Sequence, residues 1–186
     1  MVTRAQIVPL IGEVFREHGF EGASLAAIGA ATGLGKGSLY HFFPGGKEEM
    51  ANAVLDEIGN WFEREIFTPL ASNDPAAIEA MFVSVASYFH SGRRVCLVGA
   101  FALNDCRERF GKRLADYFQR WIDALATALT LRGFGRKKAR RRSEETVAGI
   151  QGAIVLARAL NDSGVFDAAM TRLARRLAAP SPERGA

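Results

Sequence analysis

Cysteine is nearly missing from this chain of 186 residues, which holds only Cys96 and Cys106. Two thiols build no disulfide framework, and no pair of histidines stands near them to complete a zinc site, so both read as free core thiols. Histidine is almost as scarce, and His18, His41 and His90 have no nucleophile beside them in sequence. No catalytic set emerges from them, so the expectation is a protein that is not an enzyme and needs no metal or cofactor. Also missing is any apolar run near the roughly 18 residues of a membrane span. The opening MVTRAQIVPLIGEVFREHGF breaks its apolar positions with charge. Neither a membrane span nor a signal peptide is expected, which points to a soluble, cytoplasmic chain. Strand patterning is absent too, since no segment alternates apolar and polar residues with β-branched enrichment. What remains is an ordinary globular composition, 48% hydrophobic and 24% charged, long enough to bury a core. The net charge of +4 suits a polyanionic partner without requiring one.

Helical periodicity runs through nearly the whole sequence. Thr3 with Gln6 forms a capping box ahead of Ile7, Ile11, Val14 and Phe15, and Gly19 is placed to end that helix. Pro9 lies beyond the first turn, so this helix is expected to kink or to start late. Ser24 caps a short helix over about 25–32, Gly33 ends it, and another runs from Lys36 to just before Pro44. A fourth begins near Lys47, carries Met50, Val54, Ile58, Phe62 and Ile66 at four-residue spacing, and is expected to close at Pro69. Further helices are expected from near Pro75 to before Gly92 and over about 95–105, 107–131, 137–160 and 163–178, with APSPERGA as a loose tail.

The segment GLGKGSLYHFFPGGKEE, residues 33–49, is the most informative. As a phosphate loop it fails: Ala30 stands where the first glycine belongs, Gly37 follows Lys36 where Ser or Thr must hold magnesium, and no strand precedes it. As a helix-turn-helix it fits. Counting from Leu25, Ile28 is apolar at position 4, Gly29 small at 5, Gly33 the turn at 9, and Leu34, Leu39 and Phe42 apolar at 10, 15 and 18. Only Thr32 at position 8 would more comfortably be alanine. With Leu39 and Phe42 inward, Lys36, Gly37, Ser38, Tyr40 and His41 face out. They offer a charge, two hydroxyls and a backbone that can come close to its partner, on a helix whose free N–H groups face the ligand, as a major-groove reader requires.

These residues carry a resemblance. Thr3 to Trp61 resembles the DNA-binding domain of the tetracycline-repressor (TetR) family, with GKGSLYHFFPGGKEEM its most recognisable segment; CLVGAFAL and QGAIVLARAL resemble the LmrA/YxaF-type branch. The resemblance implies an all-α homodimer whose first three helices bind double-stranded operator DNA and whose larger domain binds a small-molecule effector that releases it. It places Lys36, Ser38, Tyr40 and His41 on the recognition helix, Lys47 at a phosphate and Ser24 near another. Gly35 departs from the pattern, where serine is common, and of a basic N-terminal arm only Arg4 is present. The implied division is a helix-turn-helix domain over 1–48, with the connecting helix starting inside it over 47–66, and a ligand-binding and dimerisation domain over 49–186.

In the second half, VAGIQGAIVLARAL is apolar around most of its circumference and asks to be covered on several sides, which points to a helical dimer interface. The residues assigned to it are Ile150, Ala153, Ile154, Ala157, Phe166 and Met170. Trp61, Phe62, Phe82, Phe89, Phe101, Phe110, Phe118 and Trp121 are taken together as an apolar effector pocket, with Asn104, Asp105 or Gln119 to orient the ligand. RKKARRR, residues 136–142, is followed by Glu144 and Glu145 and reads as a solvated helix start, with a second DNA or membrane contact as the sharper option. Two other functions fit the same helical pattern less well: a small enzyme acting on an apolar substrate, and a DNA binder without ligand control.

Overall fold

The computed structural model describes residues 2–178; APSPERGA lies outside the described residues. Every regular element described is helical: α1 (Arg4–Gly22), α2 (Leu25–Thr32), α3 (Lys36–Phe42), α4 (Gly46–Phe62), a π turn (Glu63–Phe67), α5 (Thr68–Ala71), α6 (Ala77–Tyr88), α7 (Leu97–Ala102), α8 (Cys106–Leu131), α9 (Arg136–Ala159) and α10 (Ser163–Leu177). No described helix is long and apolar enough to cross a membrane.

Local chemistry sets most boundaries. The Thr3–Gln6 capping box is formed, with the Thr3 N–H donating to Gln6 Oε1 at 2.9 Å. Pro9 does not have the expected effect. The helix starts at Arg4, and the one non-helical residue inside it is Gly19, at φ 69°. The carbonyl that Pro9 leaves without its helical donor is that of Ala5, an exposed residue that water can serve. Nor does Pro69 close the fourth helix, since the chain stays helical to Ala71. The Thr68 N–H reaches back five residues to Glu63, and this wider turn delivers Pro69 to the first turn of α5, where a missing N–H does no harm.

The chain packs as two compact units. One holds residues 2–61 with Cys96–Leu114, the other Phe62–Val95 with residues 115–178, so the divisions fall inside α4, just ahead of α7 and inside α8. This grouping by packing is a different cut from a functional division after residue 48.

In the first unit Ile7, Ile11, Phe15, Ile28, Leu39, Phe43, Met50 and Val54 are buried. An aromatic cluster ties the end of α1 to α7 and the start of α8: Phe15 meets Phe20 and Phe101 at 5.8 and 5.9 Å, and Phe110 meets Phe20 and Phe101 at 5.6 and 5.7 Å. Burial pushes the Cys106 thiol pKa up, away from the reactive thiolate.

In the second unit Phe62 stands at the centre of a larger cluster, 4.9 Å from Tyr88, 5.0 Å from Tyr117 and 5.2 Å from Trp121. The Trp121 indole N–H donates to Met81 Sδ at 3.5 Å. Gly92, at φ 83°, lets the chain after α6 lie against α9 and α10: a Cβ there would fall 2.8 Å from Ala157 and 2.9 Å from Phe166. Two ion pairs brace the outside. Arg120 donates to both oxygens of Glu63, at 3.1 and 2.7 Å, and Arg132 holds Glu79; each carboxyl is held below its ordinary pKa, chiefly by its arginine's hydrogen bonds.

Candidate nucleic-acid interface

The helix-turn-helix is assembled by small, local contacts. Ser24 Oγ accepts the Ala27 N–H at 3.1 Å and starts α2. Gly33, at φ 71°, ends it in the left-handed region. The turn then folds back so closely that a Cβ on Gly29 would stand 2.9 Å from the Leu34 carbonyl oxygen, so only hydrogen fits there. Thr32, the misfit in the pattern, is accommodated because its hydroxyl donates to the Ile28 carbonyl at 2.7 Å. Leu39 is fully buried as expected, whereas Phe42 is half-buried and Phe43 takes the inner position. The chain leaves helical geometry at Phe43, at φ −135° and ψ 76°, and this turns the following ring inward instead.

The opposite face of α3 is open. Lys36, Gly37, Ser38, Tyr40 and His41 are all exposed, as are Gly35 and Ser24. Within the described residues Lys36, Ser38 and Tyr40 make no side-chain hydrogen bond or ion pair, while the His41 ring meets the edge of Phe42 at 5.6 Å. Apart from its chain neighbours and the backbone of its own helix, no described atom lies within 4 Å of a Cβ built on Gly37. Gly37 is the second residue of α3, where glycine is a weaker helix former than alanine and no close contact calls for it. Gly35 is the N-cap of α3 and contributes no side-chain hydrogen bond.

Lys47, in the first turn of α4, is engaged within the chain. Its ammonium donates to the Glu21 carbonyl at 3.3 Å, lies 3.9 Å from the Glu21 carboxylate and sits 4.7 Å above the Phe20 ring. Arg109 of α8 approaches the same groups, at 4.0 Å from Glu21, 3.8 Å from Glu48 and 5.4 Å from the Phe20 ring. Arg113 donates to Asn52 at 2.9 Å and pairs with Asp56. Neither arginine was legible as a neighbour of the helix-turn-helix, because no local pattern links residues so far apart.

The sequence-derived effector group divides between the two units. Phe62, Phe82, Phe89 and Trp121 are buried and Phe118 is half-buried in the second unit, while Phe101 and Phe110 belong to the first, packed on Phe15 and Phe20. Trp61 also falls in the first unit, and Asn104 is exposed and donates to the Ala100 carbonyl at 2.9 Å. Phe67 and Tyr117, absent from that group, join the Phe62 cluster; their four- and five-residue spacings to Trp121 and Phe62 were the available signal. No group of His, Cys, Asp or Glu among the described residues could hold a metal ion.

The six residues assigned to a dimer interface are also placed differently. Ile150, Ala153, Ile154, Ala157, Phe166 and Met170 are all buried within this one chain, and Ala153 also borders a groove next to Leu156. The outward apolar residues of this region are Val155, Leu156 and Leu160. Beside them the groove is lined by Gly149, Gly152, Leu156, Val165, Ala169 and Arg172.

An all-helical chain with an open, polar second helix in its helix-turn-helix defines a class of DNA-binding regulators, and comparison with known proteins agrees. Residues 12–54 match the family of bacterial regulatory proteins called the tetR family, and residues 75–172 match the LmrA/YxaF-like transcriptional regulator C-terminal domain. The chain belongs to the TetR family, in its LmrA/YxaF-like branch, and is a DNA-binding transcriptional regulator. It is 29% identical to the HTH-type transcriptional regulator YxaF of Bacillus subtilis over 83% of this chain and 84% of that protein. It is 28% identical to the HTH-type regulator LmrA of the same organism over 83% and 85%. A TetR transcriptional regulator from Legionella pneumophila shares the fold, with a TM-score of 0.81 at 17% identity over 95% of this chain and 98% of that one.

Proposed function

We propose that the protein is a homodimeric repressor that reads operator DNA with α3 and leaves it when a small apolar effector binds the second half of the chain. The observation that carries this reading is the exposed row on α3: a lysine, two hydroxyls, a histidine and a helix-weakening glycine, three of whose side chains have no partner of their own. Lys36 supplies phosphate or guanine contact, Ser38 and His41 read base edges, and Tyr40 reaches the backbone. Ser24 and Lys47 add phosphate contacts, Lys47 by leaving Glu21. Gly35 and Gly37 let the backbone approach the groove. The DNA-binding part is residues 1–48 and the rest serves ligand and dimer. No catalytic role is assigned to any residue.

For the effector, the aromatic cluster around Phe62, Tyr117 and Trp121 supports an apolar ligand. For the dimer, the outward residues Gly152, Val155, Leu156 and Leu160 replace the buried set as the face to be covered.

The test is selection of DNA by the purified protein from a random-sequence duplex pool. An enriched, two-fold symmetric sequence is expected, with half-sites about one helical turn apart or a multiple of it. Enrichment of nothing, or binding that ignores sequence and salt, would sink the reading. Gly37→Ala sharpens it: the variant should melt no lower than wild type yet bind the selected duplex less tightly.

A further inference from the structure

We propose that Arg4 is a positioning residue that sets the angle of the recognition helix through Glu49, and does not hold a DNA phosphate. The inference rests on the reading of α3 as the DNA-contacting helix. Arg4 is the first residue of α1, and the first turn of that helix holds no acid, so a cation there opposes the helix dipole. Its guanidinium is rewarded elsewhere. It lies 3.0 Å from Glu49, stacks 4.6 Å from the centre of the Phe43 ring and donates to the Phe42 carbonyl at 3.4 Å. That carbonyl belongs to the last turn of α3, where a positive charge is favourable.

Glu49 completes the link. While one of its oxygens faces Arg4, the other accepts the Gly45 N–H at 2.8 Å, in the loop between α3 and α4. One ion pair therefore joins the start of α1, the end of α3 and the start of α4. A helix of seven residues does not hold its own direction. Leu39 and Phe43 bury it, but apolar burial carries no orientation of its own. Both polar contacts leave one nitrogen, Arg4 Nη1, and with the stack on Phe43 they add that direction; the stack needs a planar guanidinium.

The two roles open to Arg4 differ in the sign of one substitution. If Arg4 held a phosphate, Glu49 would compete for it, and Glu49→Gln would strengthen binding. As a clamp, losing Glu49 weakens it. The experiment titrates the duplex selected by wild-type protein with Arg4→Ala, Arg4→Lys and Glu49→Gln by fluorescence anisotropy across a range of KCl. Melting midpoints are measured alongside to confirm folded protein.

Arg4→Ala and Glu49→Gln should each weaken binding by about fivefold, the factor that corresponds to about 1 kcal/mol, with the salt slope unchanged. Arg4→Lys should recover less than half of the loss. Hydrogen exchange over residues 36–49 should be faster in both the alanine and glutamine variants, with or without DNA. Glu49→Gln binding as tightly as wild type or tighter overturns the proposal, as does a salt slope lowered by about 0.9 per protomer in Arg4→Ala. If the pool enriches no sequence, the DNA reading falls by itself, and unchanged exchange over 36–49 then rejects the clamp separately.

Discussion

Two basic stretches of this chain behave in opposite ways. The run at 136–142 is the denser, yet much of it is already neutralised: Arg140 pairs with Asp123 and Glu144, and Arg141 and Arg142 pair with Glu145. The recognition stretch has one lysine on its exposed face, and that lysine has no ion-pair partner among the described residues. Charge available to a polyanion depends on what the fold leaves unspent and not on what the sequence concentrates. The solvated reading of the run is thereby favoured for its second half, leaving Arg136, Lys137 and Lys138 without an ion pair among the described residues, Lys138 lying 5.5 Å over the Phe134 ring.

The largest effect should come from removing the recognition stretch while leaving the run in place. Gly29→Val forces a branched side chain against the Leu34 carbonyl and should cost on the order of 2 kcal/mol in urea unfolding, with loss of operator binding. If sequence-specific binding survives, the run carries it and the comparison inverts. Next, Lys36→Ala should weaken binding by about tenfold and lower the salt slope by about one per protomer. An unchanged slope in anisotropy titrations would remove Lys36 from the phosphate contacts. The triple change of Arg136, Lys137 and Lys138 to alanine should stay within about twofold of wild type at physiological salt, as the solvated reading of the run requires. A loss comparable to that of Lys36→Ala would make the run a second DNA site.

The smallest effect concerns acid stability of the second unit. Glu63 and Glu79 have depressed pKa values because Arg120 and Arg132 hydrogen-bond them. Such groups contribute stability fully above the ordinary carboxylate range and lose it as pH falls through the depressed values. Both pairs are partly solvent-screened, so Glu63→Gln with Glu79→Gln should only flatten the acid limb of the melting curve slightly. A steeper limb in the double variant would contradict the assignment.

Helix limits were legible wherever a residue has one structural use. Ser24, Gly33, Pro44 and the Asn161-Asp162 break mark ends that the fold keeps, with Asp162 accepting the Gly164 N–H at 2.8 Å. Pro9 and Pro69 were misread because a proline's effect depends on which carbonyl it deprives and on whether the turn ahead can widen. The choice of Phe43 over Phe42 was hidden for a similar reason, since it turns on where the helix stops, within one residue. On α9 the apolar pattern covers nearly every side, so periodicity alone could not say that Ile150 and Ile154 face inward while Val155 and Leu156 face out. The aromatic residues carried the same ambiguity: spacing assigns Phe101 and Phe62 to helix faces but not to different clusters.

The π turn at Glu63–Phe67 has a meaning in terms of register. It holds one residue more than an α-helix would need over the same span, so deleting a single residue there would restore regular winding. Each residue advances an α-helix by about 100°, but the wide turn has already absorbed one such step, so the deletion would leave Leu70 facing the core it now fills. A one-residue gap at this point is therefore a smaller change than the same gap anywhere else along these helices.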